Sequence, residues 1–141
     1  MKSDLKIFTS FVSPLTIEAI VKANFLPIFV LRNIANSTLI GQYSGTAIHF
    51  KELSPSAELF RSYRDSLIDF DEYSKRFIIE LSEINFQSVI RRLEQLALIS
   101  NARAIVLMSY GSNYSDSHRK VLADIFNNSN LLTYEVKELI L

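Results

Sequence analysis

The stretch AIVLMSYGSNYSDSHRKVLADIF, residues 104–126, decides the fold. It opens on Ala104 to Met108, an unbroken apolar run. Such a run suits a strand covered on both faces, as in a parallel sheet between helices. Ser109-Tyr110-Gly111 end the strand, and the polar Ser112 to Ser115 follow. Val121, Leu122, Ile125 and Phe126 then recur at helical spacing. A helix is therefore predicted over about 116–127, capped by Ser115 or Asp116.

Upstream, the same grammar repeats. Leu5 to Val12 is β-prone, and Ser13-Pro14 reads as a cap followed by proline at the first helical position. Leu15, Ile17, Ile20 and Val21 give that helix its apolar stripe, ending near Asn24. Phe25 to Leu31 is a second strand of the doubly buried kind, with Pro27 placed near its start because an interior proline loses a ladder hydrogen bond. Asn33 to Phe50 has no period and reads as a long loop. Three helices are expected next. One starts at Ser54-Pro55, one at the capping box Asp69 to Glu72, and one behind Asn85, with Phe86, Val89, Ile90, Leu93, Leu96 and Ala97 as its stripe. Downstream, Asn127 to Asn130 is a turn and Leu132 to Val136 a last strand.

Strands alternating with helices predict an α/β three-layer sandwich: a mostly parallel sheet of about four strands with helices on both faces. The length of 141 residues suits one domain, 1–141. Three helices between two strands exceed a simple crossover, so part of 55–82 is expected to form a lid or a small lobe.

Fifteen basic residues balance fifteen acidic ones. This excludes the strong global field of a non-specific nucleic-acid coat or an anionic-membrane binder. The absence of cysteine excludes disulfides, zinc-thiolate sites, iron–sulfur clusters and thiol nucleophiles. With only His49 and His118 and no cysteine, neither a metal site nor a cofactor is expected. The longest apolar run, Phe25 to Leu31, is far below the ~20 residues that span a bilayer. The chain is read as cytoplasmic, without a targeting signal. Neither a Gly-rich phosphate loop nor a Gly-x-Ser-x-Gly elbow is present.

In open α/β sheets ligands bind beyond the carboxyl ends of the strands. Here those ends carry Ser10, Arg32, Ser109 and Tyr110. Ser117, His118 and Arg119 fall at the start of the following helix, whose unsatisfied N–H groups carry about half a positive charge. The combination predicts an anion site built from Ser10, Arg32, Tyr110, Ser117 and Arg119, with His118 as the proton-transfer group. Each residue also has a plainer role. His118 can bond a backbone carbonyl, Arg119 can be solvated surface, and Arg32 can pair with a helix acid. The aromatics Phe60, Tyr63, Phe70, Tyr73 and Phe77 are at helical spacing and read first as core. Arg61 and Arg64 beside them keep a nucleic-acid platform in view.

Three segments resemble domain-of-unknown-function family 488, a family of small α/β proteins. Lys6-Ile7-Phe8-Thr9-Ser10 is similar to its opening strand. Leu53-Ser54-Pro55-Ser56, followed by Leu59, Tyr63, Tyr73 and Phe77, resembles its leucine–proline loop and Tyr-rich helices. Val106-Leu107-Met108-Ser109-Tyr110 and Ser117-His118-Arg119 resemble its Leu-Leu-Cys-Tyr-Glu strand and Cys-His-Arg helix start. Where the family pattern has cysteine, this chain has Ser109 and Ser117; where it has glutamate after the tyrosine, this chain has Gly111. The resemblance implies either a member whose reaction never needed sulfur or one that keeps only the binding pocket.

The expected function is recognition of a small anionic ligand, a phosphate-bearing molecule, nucleotide or nucleic-acid end, at the strand ends. The alternative is a non-catalytic interaction module that has lost the family's cysteine site and binds a partner, or itself as a homodimer, through the extra helices.

Overall fold

The computed structural model describes residues 2–31, 47–111 and 113–140. In chain order the elements are β1 (Ile7–Phe11), α1 (Pro14–Lys22), β2 (Phe25–Phe29), β3 (Ile48–His49), α2 (Ala57–Arg64), α3 (Phe70–Leu81), α4 (Phe86–Ile99), β4 (Ala104–Ser109), α5 (His118–Asn128) and β5 (Lys137–Glu138). Single 3-10 turns, Lys51–Leu53 and Tyr114–Asp116, precede α2 and α5.

The sheet is five-stranded, all parallel, in the order β3-β2-β4-β1-β5. β4 is central: Ile105 pairs with Ile7 on one side and with Leu26 on the other. Alternate residues of the strands feed two cores. Ile7, Leu26, Ile28, Ile105 and Leu107 face the side covered by α2, α3, α4 and α5. Phe29, Val106 and Met108 face Ile17 and Ile20 of α1. The continuous apolar runs of β2 and β4 thus serve two faces at once. The crossover from β1 to β2 travels one way along the sheet on the α1 face. Those from β3 to β4 and from β4 to β5 travel the other way on the opposite face. All three share one hand, as right-twisted strands require.

Caps follow the short-range chemistry. The Ser13 hydroxyl accepts from the Thr16 N–H, with Pro14 opening α1. Asp69 accepts from the Glu72 N–H, and Asn85 from that of Ser88. Asn24, Asn101 and Asn130 follow the ends of α1, α4 and α5 with positive φ, the left-handed turn that lets a helix stop.

Four expectations need correction. The sheet has five strands rather than about four. The extra one, β3, is only two residues long and lies in the segment read as loop, where no apolar alternation marks it. The last strand is Lys137–Glu138, not Leu132–Val136. Leu132 makes a lone bridge to Ser3, while the Leu139 N–H binds the Thr9 carbonyl and carries the pairing one step on. Helix α2 begins at Ala57 behind Ser56, not at Ser54-Pro55, because Glu80 accepts both the Ser56 N–H and its hydroxyl and fixes Ser56 as the cap. Helix α5 begins at His118 with Ser117 as its cap, since Tyr114–Asp116 is taken up by the 3-10 turn.

Candidate functional site

The carboxyl ends of β2 and β4 meet the first turn of α5. β2 runs out through Val30 and Leu31; β4 runs out through Tyr110 and Gly111. Gly111 has φ +88, a conformation that strains any residue with a Cβ. The turn made there carries the Gly111 carbonyl to Arg119, whose Nη1 donates to it at 2.8 Å.

His118 is buried over the end of β2. Its Nε2–H donates to the Val30 carbonyl at 2.5 Å, and the edge of Phe77 stands against the ring at 5.6 Å. Burial pulls its pKa down from 6.5 to about 4, and the Arg119 charge adds to this, while the Val30 bond opposes it. The ring is therefore neutral at pH 7, with Nε2 protonated and Nδ1 as the acceptor. Its titration lies well below neutrality, which corrects the expectation that it would exchange protons near pH 7.

Arg119 has no exposed surface. Nε and Nη2 grip the Glu138 carboxylate at 3.0 and 2.8 Å. Nη1 donates to the Ser117 and Ser109 hydroxyls at 2.9 and 3.1 Å. Those two hydroxyls lie 2.7 Å apart, and Thr9 donates to Glu138 at 2.6 Å. The Tyr114 ring lies 5.7 Å from the guanidinium carbon. Ser109 and Ser117 thus form one hydroxyl pair that accepts from the arginine. This is a satisfied buried network joining β1, β4, α5 and β5, and its guanidinium is not open to a ligand.

Above His118 lies a pocket of about 240 Å³. Its base is Gly111, Ser117 and His118; Phe60, Tyr63, Tyr73 and Tyr110 form its aromatic walls. Leu31, Pro55 and Asp116 complete the lining. Tyr63 stacks on Tyr73 at 4.5 Å, and Tyr73 continues toward Phe77 at 6.3 Å. Burial raises the pKa of Tyr73 and, to a lesser degree, of Tyr63, where Asp116 adds to the rise, so both walls are uncharged phenols.

The structure thus brings Tyr110, Ser117 and His118 to one hollow and puts Arg119 beneath it. Ser10 is buried in β1, one residue along from Thr9; strand alternation turns it to the α1 face, away from Glu138 and the pocket. Arg32 lies outside the described residues. Phe60, Tyr63 and Tyr73, which helical spacing assigns to the core, are pocket wall as well; Pro55 followed by aromatics at helical spacing is the signal for it. Glu138 and Thr9 carried no motif. Among the described residues no cluster of three or more His, Asp or Glu could hold a metal ion, and no helix is long and apolar enough to cross a membrane.

Comparison with curated proteins and with solved structures gave no match. The model of a protein family, described as the active DUF488-N3 subclade, matches residues 30–130. That span runs from the end of β2 to the turn after α5 and contains the whole pocket lining; the chain belongs to the DUF488 family.

Proposed function

We propose that the chain binds a small ligand made of a planar ring and an anionic group, of the size and kind of a mononucleotide. The observation that carries this reading is the aromatic pocket set on the first turn of α5. Four rings offer flat apolar surface, which a bare phosphate cannot use and a nucleobase can. At the helix start the N–H groups of Ser117, Arg119 and Lys120 are bonded within the chain, which leaves the His118 N–H and the partial positive charge of the helix for the anionic end. No lysine or arginine lines the described pocket, and Arg119 beneath it is balanced by Glu138. Asp116 on the rim beside Tyr63 suits a ring edge that donates hydrogen bonds, such as an exocyclic amine.

The residues divide accordingly. Tyr110, Tyr63 and Phe60 hold the ring. Ser117 and the backbone N–H of His118 meet the anion, while the neutral His118 ring, its one N–H held by the Val30 carbonyl, packs beneath the ligand. Arg119 positions the turn that presents them. Helices α2 and α3 serve as the lid over the strand ends.

Calorimetric titration tests this with three probes: a purine mononucleotide, its nucleoside and inorganic phosphate. The mononucleotide is expected to bind best and the nucleoside next. Tyr63→Ala and Tyr110→Ala are each expected to weaken the mononucleotide by about tenfold, or ~1.4 kcal/mol. Equal affinity for phosphate and mononucleotide, or indifference to both substitutions, overturns the reading.

A further inference from the structure

Apart from the pocket, the structure has a groove of about 810 Å³ between α3 and α5. Phe70, Ile78, Phe86, Val121 and Ile125 give it an apolar lining. Its two walls are helical ridges: Phe70, Ser74 and Ile78 recur every four residues on α3, as do Val121 and Ile125 on α5. Parallel ridges of this kind frame a channel that accepts a third helix.

The polar rim has one dominant sign. Asp71, Asp116 and Asp124 line it, against the single cation Lys120. Lys120 is already engaged with Asp124 at 2.8 Å. Asp116 accepts from the Asn113 amide at 3.0 Å, and Asp71 is exposed at the start of α3. The chain as a whole is neutral, so this negative rim is local. Ile78 remains half exposed in that lining, apolar surface that an occupant would cover.

We propose that this groove docks an amphipathic helix of a partner protein, with leucine-like side chains in the channel and lysine or arginine side chains over Asp71 and Asp116. Charge complementarity selects the basic partner: an acidic helix would meet two carboxylates not held by Lys120, while a basic one neutralises them. Asp116 lines both groove and pocket, so the docked helix would lie against the pocket's rim. The proposal needs no ligand in the pocket and stands apart from the reading above.

The test is fluorescence anisotropy with a labelled synthetic helix carrying leucines on one face and lysines on the other, and with its twin in which glutamate replaces lysine. The lysine helix is expected to bind and the glutamate helix to bind at least tenfold more weakly. Ile78→Asp and Asp71→Lys are each expected to weaken the lysine helix several-fold. Leu98→Asp, an exposed apolar site on α4, should leave binding unchanged. Both groove positions are exposed, and matching melting curves verify folding. Failure of both helices to bind, equal binding of the two, or insensitivity to the groove variants overturns the proposal. So does a dimer in light scattering that Ile78→Asp dissolves, since the occupant would then be a second copy.

Discussion

Glu138 holds Arg119 by two sides of its fork, Oε1 on Nε at 3.0 Å and Oε2 on Nη2 at 2.8 Å, with the guanidinium wholly buried. A two-residue strand near the carboxyl end of the sequence is thereby tied to the helix that floors the pocket. Taking both ions out of water is costly, so the pair is a weak source of net stability, but losing one partner strands the other. Glu138→Leu is expected to destabilise the chain by about 3–5 kcal/mol. Arg119→Met combined with Glu138→Leu should recover much of that loss. Urea unfolding of the two single variants and the double variant checks this. Additive losses would show that the pair is not a coupled unit.

His118 predicts a pH dependence of definite sign. Its folded pKa, about 4, lies below the unfolded 6.5. Between these values the unfolded chain binds more protons, so stability rises with pH there. The contribution is complete above about pH 6.5 and is lost as pH falls toward 4, by roughly 3 kcal/mol in all. Unfolding midpoints of the parent and of His118→Gln, measured from pH 7 to pH 4, should converge as the pH drops. Parallel curves would show that His118 is not held neutral.

Gly111 faces open space: a Cβ there meets nothing within 4 Å, so only the backbone resists substitution. Gly111→Ala is expected to cost about 1–2 kcal/mol, and Gly111→Asn less, since asparagine tolerates positive φ. Thermal melts of the two variants give the order. An alanine variant as stable as the parent would mean that the turn is not held at φ +88.

Ser117 serves as the cap of α5, as a partner of Ser109 and as an acceptor for Arg119. Ser117→Ala should cost about 1–3 kcal/mol, because buried donors lose their acceptor. Ser117→Thr, which keeps the hydroxyl, should retain most of the stability. Equal losses in the two variants would mean that added bulk, not the hydroxyl, decides.

The layered architecture was legible because β2 and β4 are apolar throughout and the α4 stripe is nearly faultless. The short edge strands were not, because two residues carry no period and Lys137–Glu138 pairs for reasons that lie elsewhere, in Thr9 and Arg119. The helix start at Ser117-His118 could be placed to within two residues, and the convergence of Tyr110, Ser117 and His118 followed from the strand-end rule. The fate of Arg119 could not be read, because its partner stands nineteen positions away on an edge strand without a motif. The double duty of Tyr63 and Tyr73 was hidden for a different reason. Helical spacing tells which face turns inward, not whether that face ends at packed hydrocarbon or at a hollow.

In the proposed complex the hollow above His118 receives a ring and an anion together. A crystal structure with a purine mononucleotide tests it most directly. The base is expected against Tyr63 and Tyr110 and the phosphate at the His118 N–H that opens α5. A phosphate bound elsewhere while the aromatic walls stand empty would contradict it.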